Sequence, residues 1–360
     1  MPSFELAPSE LFGDDTSTCR SVRPTPLSPG TRGERAEVTE DDIDIAGQAM
    51  VEVGREHENH IGLRCVDCRT GGLSRRDDAW TCGACGRRFP IVGGVPRFVA
   101  HEHYSGSFGF QWNRFAQAQL DSANGTARSL ETFVLKTGWR LDDVAGRRVL
   151  DAGCGMGRFA EVCADAGADV HAVDLSVAVE AAHANLGGRP NVHVYQADIM
   201  RLPFTEATFD RIYSIGVLHH TPDTRAAFLA LCPLLKPGGT IAIWVYTREL
   251  ARMFAGGEAL RKVTPHLPKR WLLSMSRVAV PLYRVHQHPR IGPWSSWLVP
   301  TSLNPDPLWR WLDTFDWYSP RYQWKHTYEE VESWFREAGL VDVQRLPFPV
   351  SVSGVRPTSG

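Results

Sequence analysis

Four cysteines, arranged as Cys65-x-x-Cys68 and Cys82-x-x-Cys85 with 13 residues between the pairs, are the densest set of soft ligands in this chain. Four thiolates on two such knuckles suit a tetrahedral zinc ion with no open coordination position, so the chemistry they imply is structural. Gly71, Gly72 and Gly83 stand where the knuckles must turn. A second constellation begins at Val149 in VLDAGCGMGRFAEV, where Gly153, Gly155 and Gly157 follow an apolar run that ends at Asp151. Glycine permits positive φ and lets a ligand lie directly on the main chain. Acidic residues close the next two β-rich runs as well, Asp174 in DVHAVD and Asp198 in YQADI, the latter followed by Ile199. A carboxylate in the position of Asp174 can accept from both hydroxyls of a ribose. Asp198 could accept from an exocyclic adenine amine while Ile199 flanks the ring. Any one of these acids could be a helix cap, but three beside the glycines argue for a binding edge. His219 and His220 in GVLHH, and His326 in KHTYEE, are the candidate proton acceptors, each with a packing or capping role as its competitor.

These residues need elements to position them. From Arg147 to Tyr246, short β-rich runs alternate with runs of helical period, the pattern of a parallel sheet with crossover helices. RRVL reads as a strand, the glycines as a tight turn, and RFAEVCADAG as a helix that ends at Gly167. That places the glycines at the carboxyl edge of a doubly wound sheet, the usual ligand edge. A dinucleotide loop would read G-x-G-x-x-G. Here the third glycine arrives one residue early and Arg158 takes its place, which weighs against a dehydrogenase.

The run from Arg147 to Tyr246 resembles the class I S-adenosylmethionine-dependent methyltransferases, particularly the type 11 group. VLDAGCGMGRF, VDLS, QADIMRLPF, FDRIYSIGVLHHTPD and LLKPGGTIAIWVY occur in that family's order and spacing. The resemblance implies a mostly parallel seven-stranded sheet with an antiparallel edge hairpin. It also implies a cofactor site built from Asp151, Ala152, Gly153, Cys154, Gly155, Gly157, Asp174, Leu175, Asp198, Ile199 and Ile215. In that site Asp151 would lie near the methionine ammonium, Asp174 on the ribose, and Asp198 with Ile199 at adenine. The cysteine module, with FPIVGGVP after its last cysteine, resembles the small zinc ribbons of the tRNA-methyltransferase-activator type. This keeps RNA open as an alternative substrate.

Six segments follow from composition and pattern: a largely disordered tail over 1–60, a zinc ribbon over 61–99, a helical connector over 100–145 that opens with FGFQWNRF, the cofactor-binding core over 146–246, an aromatic and basic cap over 247–326, and a helix with edge strands over 327–360. The cap holds seven of the twelve tryptophans, and residues 248–290 carry nine Lys or Arg against two Glu. Such a segment attracts phosphate, carboxylate or a membrane surface. KRWLLSMSRVAVPLYRV reads as an amphipathic helix that Pro281 kinks or ends, with Arg270, Arg277 and Arg284 along one stripe. In the last segment Thr327 and Glu330 form a capping-box pattern before Gly339.

The whole chain has 360 residues, 43% of them hydrophobic, and a formal charge of -2, which gives no overall bias toward nucleic acid or membrane. Its first residues lack the pattern of a secretory signal, so a cytoplasmic, reducing setting is expected. The expected activity is methyl transfer to a small, glycan or carrier-linked acceptor bearing an anionic group, with peripheral membrane contact open. The competing classes are an RNA methyltransferase that grips its substrate with the ribbon and a non-catalytic scaffold. The sequence leaves any protein partner unidentified.

Overall fold

The computed structural model describes residues 61–99, 106–249 and 255–358. The tail expected over 1–60 lies outside them. Strands β1 (Leu73–Arg76), β2 (Ala79–Cys82), β3 (Arg88–Val92) and β4 (Val95–Pro96) make a small antiparallel sheet that carries the cysteine knuckles. Helix α1 (Gly106–Arg114) and helix α2 (Arg128–Thr137) follow, and lead into the central sheet.

That sheet comprises β5 (Arg148–Ala152), β6 (Asp169–Asp174), β7 (Val192–Gln196), β8 (Phe209–Ile215), β9 (Leu235–Trp244), β10 (Val341–Arg345) and β11 (Ser351–Val355), in the order β10-β11-β9-β8-β5-β6-β7. Strands β5 to β9 pair in parallel. The last two pair antiparallel, with β11 inserted between β9 and β10. This is the doubly wound, mostly parallel seven-stranded sheet with an antiparallel edge hairpin that the resemblance implies. The helices α3 (Arg158–Asp165), α4 (Val179–Leu186) and α5 (Thr224–Leu231) supply the crossovers.

Both faces of the sheet are covered, so consecutive residues of β5, β6 and β8 are buried, polar His171 and Ser214 among them. On one face Phe204, Phe209, Phe228, Leu231 and Phe335 are fully buried, with Phe228 and Phe335 stacked at 4.5 Å. On the other, Phe133 packs edge-on against Tyr213. Each fully buried ring of this kind stabilises the fold by about 1.5–3 kcal/mol.

The ribbon continues the first of these layers. Leu63, Cys65, Phe89 and Phe98 join the same apolar cluster as Tyr195 and Phe204. Backbone bonds fasten the ribbon at three points: Phe98 N–H donates to Gln196 O at 2.8 Å, Arg64 N–H to Pro203 O at 2.9 Å, and Thr205 N–H to Gly62 O at 3.0 Å.

The cap consists of α6 (Ala255–Leu260), α7 (Lys269–Ser276), α8 (Ala279–His286), α9 (Gly292–Leu298) and α10 (Pro307–Tyr318). The amphipathic run expected as one helix is two, broken at Arg277 and Val278, with Pro281 in the first turn of α8. A proline has no N–H to offer the carbonyl four residues earlier and its ring crowds that group, so the break falls at Arg277. The tryptophans also divide. Trp311 and Trp317 pack around the buried Leu272, Leu273, Phe315 and Tyr318, whereas Trp271 and Trp294 are 62% and 76% exposed. Helix α11 (Tyr328–Glu337) starts at the expected capping box, with Glu330 N–H donating to Thr327 Oγ1 and Thr327 N–H to Glu330 Oε2. Among the described residues no helix is long and apolar enough to cross a membrane.

Candidate functional site

The turn after β5 is shaped by its glycines. Gly153, Gly155 and Gly157 have φ of 101°, 54° and 94°, and a Cβ on Gly153 would stand 2.4 Å from the Val217 side chain. Neither the conformation nor the space tolerates a larger residue there. Gly153 and Cys154 both donate their N–H to Val173 O, drawing the turn across the end of β6. Gly155 N–H then donates to Asp174 Oδ2 at 3.0 Å, while Asp174 Oδ1 accepts from the backbone and hydroxyl of Ser176, each at 2.7 Å.

Asp151 is buried and its Oδ2 has no hydrogen-bond partner. Burial pushes its carboxyl up to about 8 despite the neighbouring Tyr213 hydroxyl, and the Asp174 carboxylate adds to the rise. An orphaned, buried carboxyl oxygen beside an open main-chain cradle fits a ligand that brings a cation. Asp198 caps the short turn Ile199–Arg201, its Oδ1 accepting from Met200 N–H at 2.9 Å. Leu175 O accepts from Gln196 Nε2, and Ala152, Ile199 and Ile215 are buried at the same edge. The three acids, the glycines and these apolar neighbours thus stand at the ends of β5 to β8.

Helix α1 covers the loop. The Trp112 Nε1 lies 3.3 Å from where a Cβ on Gly155 would be, so the indole roofs the glycine turn. The preceding residue, Gln111, is fully buried and leaves both amide atoms without a well-formed hydrogen bond beside the Asp316 carboxylate of α10. Burial, reinforced by Asp313, holds the Asp316 carboxyl well above the usual range, and burial lifts Asp313 to about 6. Phe110 meets Phe315 at 6.5 Å, and Phe108 meets His220 at 5.1 Å. Helix α1 therefore joins the glycine turn, the histidine turn and the cap.

The histidines fare differently. His219 is fully buried and stacked on Tyr246 at 3.9 Å, with neither ring nitrogen hydrogen-bonded. Burial, with His220 adding to it, holds its ring neutral well below the ordinary imidazole range. His220 Nδ1 lies 2.9 Å from Tyr322 O, and burial lowers that ring to about 4. His326 has both nitrogens engaged, Nε2 with Thr224 Oγ1 at 3.0 Å and Nδ1 with Glu330 Oε2 at 3.3 Å. Trp324 clamps the histidine turn, donating its backbone N–H to His219 O and its indole N–H to Thr221 O.

In the ribbon, Cys65, Cys68, Cys82 and Cys85 converge, with sulfur separations of 3.7 Å for Cys65 to Cys85 and 3.6 Å for Cys68 to Cys82. A tetrahedral zinc with bonds of about 2.3 Å spaces its sulfurs by about 3.8 Å, so the donor set fits that ion. The Thr70 hydroxyl and the backbone N–H groups of Thr70 and Gly71 pull the Cys68 thiol down to about 6, toward the thiolate a metal requires. A Cβ on Gly71 would stand 2.5 Å from Cys82 Sγ, so only glycine fits against the cluster.

Sequence reasoning missed Gln111, Trp112, Asp313 and Asp316. The aromatic density of FGFQW was the available signal, but nothing local says which strand end the helix will cover.

Residues 150–243 match the family model described as a methyltransferase domain. This segment, with its sheet order and glycine edge, is a class I S-adenosylmethionine-dependent methyltransferase domain. Among curated relatives, the chain is 36% identical over 125 residues to a ubiquinone biosynthesis O-methyltransferase of Paracidovorax citrulli, covering 33% of this chain and 50% of the relative. It is 36% identical over 119 residues to an O-methyltransferase of Aspergillus nomiae, covering 31% of this chain and 52% of the relative. The chain thus spans about half the length of the curated relatives it matches. A solved S-adenosylmethionine-dependent methyltransferase from Mesorhizobium loti aligns with 59% of this chain and 93% of its own, at 19% identity and a TM-score of 0.37.

Proposed function

We propose that this protein is an S-adenosylmethionine-dependent methyltransferase acting on a small or carrier-linked acceptor enclosed between the glycine edge and the cap. The observation that carries the reading is the buried, unpartnered Asp151 Oδ2 beside the Gly155–Asp174 cradle under Trp112. When bound, the cofactor would supply an activated sulfonium methyl group. Asp151 would hold its ammonium, Asp174 its ribose hydroxyls, and Asp198 with Ile199 its adenine. Trp112 and the cap exclude water, and a fixed pocket needs little more than alignment of the acceptor with the methyl.

His219 is the base we assign. It is neutral, buried and has no hydrogen-bond partner on either ring nitrogen, so a lone pair is available to an acceptor hydroxyl. Gln111, buried beside Asp316 with neither amide atom well hydrogen-bonded, would orient that acceptor together with Asp316. Part-buried Arg158 and Arg261 support an anionic group on it, as does the buried Lys136 amine 3.3 Å from the Trp244 ring centre, whose pKa burial holds well below the usual lysine range until an anion favours its charged form. The outer cap surface, with exposed Trp271, Met275, Trp294 and Leu298 among Arg270, Arg277 and Arg284, supports peripheral contact with an anionic lipid surface. The buried thiols Cys154, Cys163 and Cys232, and a ribbon cluster that needs its four cysteines as thiolates, favour a reducing, cytoplasmic setting.

The test has two stages. Calorimetry with S-adenosylmethionine should show binding, and its failure would remove the reading. Labelled cofactor with separated RNA, lipid and small-molecule extracts should then mark the lipid or small-molecule fraction. Label confined to RNA would move the assignment to an RNA methyltransferase.

A further inference from the structure

A second cluster of metal-ligating groups lies at the opposite end of the sheet, where β6 and β7 begin. Asp169 and His171 are two apart on β6 and therefore share a face. His193 on β7 is the register partner of His171. The two imidazoles lie side by side with ring centres 4.8 Å apart, and both turn Nε2 toward one oxygen, Asp169 Oδ1, at 3.4 Å and 3.3 Å. The three ligand atoms all lie within 4.8 Å of one another.

These separations discriminate between two arrangements. A charge-assisted N–H to carboxylate bond closes to about 2.7–2.9 Å. Ligand atoms bound at about 2.0–2.2 Å to one tetrahedral ion stand about 3.3–3.6 Å apart. Asp169 Oδ1 stands at the second spacing from both imidazole nitrogens. Moreover, His171 Nε2 is buried and has no hydrogen-bond partner.

The surroundings orient two of the three ligands as a metal site would. Arg148 Nε donates to Asp169 Oδ2 at 3.0 Å, leaving Oδ1 to face the histidines. His171 Nδ1 lies 3.3 Å from the Tyr195 hydroxyl, and with its proton there Nε2 presents a lone pair. A cavity of about 190 Å³, lined in part by Trp80, Ile91, His183 and Tyr195, opens beside the cluster between the ribbon and the sheet. It offers an entry path and room for water as a fourth ligand.

We propose that Asp169, His171 and His193 bind a second divalent transition-metal ion of the zinc class, distinct from the ion of the cysteine cluster. Two imidazole nitrogens and one carboxylate oxygen suit that class better than calcium or magnesium, which prefer oxygen alone. This assignment does not depend on the methyltransferase reading. The test uses the full, untagged chain, measuring zinc per chain and then titrating the metal-free protein with cobalt. Wild type should hold two equivalents and His193→Ala one, with the thiolate-to-cobalt absorption unchanged between them. His193→Gln, which keeps the strand filled, should also hold one, guarding against loss of fold, which circular dichroism would reveal. Equal stoichiometry in wild type and the folded variants would overturn the proposal, as would a second equivalent that carries thiolate absorption.

Discussion

The ribbon and the cap are both additions to one sheet, yet they are attached by different physics. The ribbon lies along the outer strand β7, fastened by backbone hydrogen bonds, and its small sheet is gathered around four sulfurs. The cap is fastened mainly through side chains, with Phe315 against Phe110 at 6.5 Å, Trp324 Nε1 donating to Thr221 O, and His220 Nδ1 lying 2.9 Å from Tyr322 O. A module gathered by ligands depends on a few residues, whereas one gathered by packing spreads its dependence over many. The first is sensitive to a single substitution. The second can present an unsatisfied atom such as Asp316 Oδ1 and still hold together.

The largest expected effect tests the ribbon side. Cys82→Ser should remove the ribbon ion, whose binding free energy in small zinc modules is about 10–16 kcal/mol. Hydrogen exchange should then show residues 61–99 losing protection while β5 to β9 keep theirs. Uniform retention of protection would make the two attachments equivalent.

At the glycine edge, Asp174→Ala removes a charge-assisted contact worth about 1.5–3 kcal/mol, a ten- to hundredfold loss of S-adenosylmethionine affinity by calorimetry. His219→Ala should leave that affinity unchanged and lower the transfer rate about 10²-fold or more. Replacing His326, whose nitrogens are both engaged, should act on thermal stability instead.

Asp151 sharpens the contrast with a smaller signal. Its carboxyl is protonated at neutral pH in the free protein, since burial lifts it to about 8, and an ammonium beside it would favour the ionised form. Cofactor binding at pH 7 should therefore release up to about one proton, read as a dependence of the binding enthalpy on the buffer's ionisation enthalpy.

A last effect is on stability. Burial holds His220 at about 4, below its unfolded value, so the unfolded chain binds the extra proton between these limits. Its contribution is present above about pH 6.5 and is lost as pH falls toward 4, which melting curves across that range would register.

The parts of this molecule that local sequence reveals are those whose partners are close along the chain. Gly153 to Gly157 and Asp151 declare a tight turn after a strand, and the four cysteines declare a cluster because their pairs recur within 21 residues. The Thr327–Glu330 capping box is similarly self-contained. By contrast, Trp112 and Gln111 acquire their surroundings only when α1 folds over the ends of β5 and β8. His171 and His193 meet because two strands pair in one register, and nothing in either strand alone specifies that register. The helix break at Arg277 shows an intermediate case: Pro281 announces a disturbance, and backbone geometry decides that it is felt one turn earlier.

The backbone bond from Phe98 to Gln196, with the neighbouring bridge between Arg97 and Gln196, has a bearing on how the chain avoids self-association. Strand β7 is the last in the sheet, and its outward amide and carbonyl groups would otherwise be a template for another molecule's strand. The ribbon occupies part of that flank, while at the far border β10 carries Asp342, Gln344 and Arg345, exposed polar side chains that discourage stacking. A trimmed version beginning after Val99 would keep every proposed cofactor contact and lose its guard against strand-by-strand aggregation.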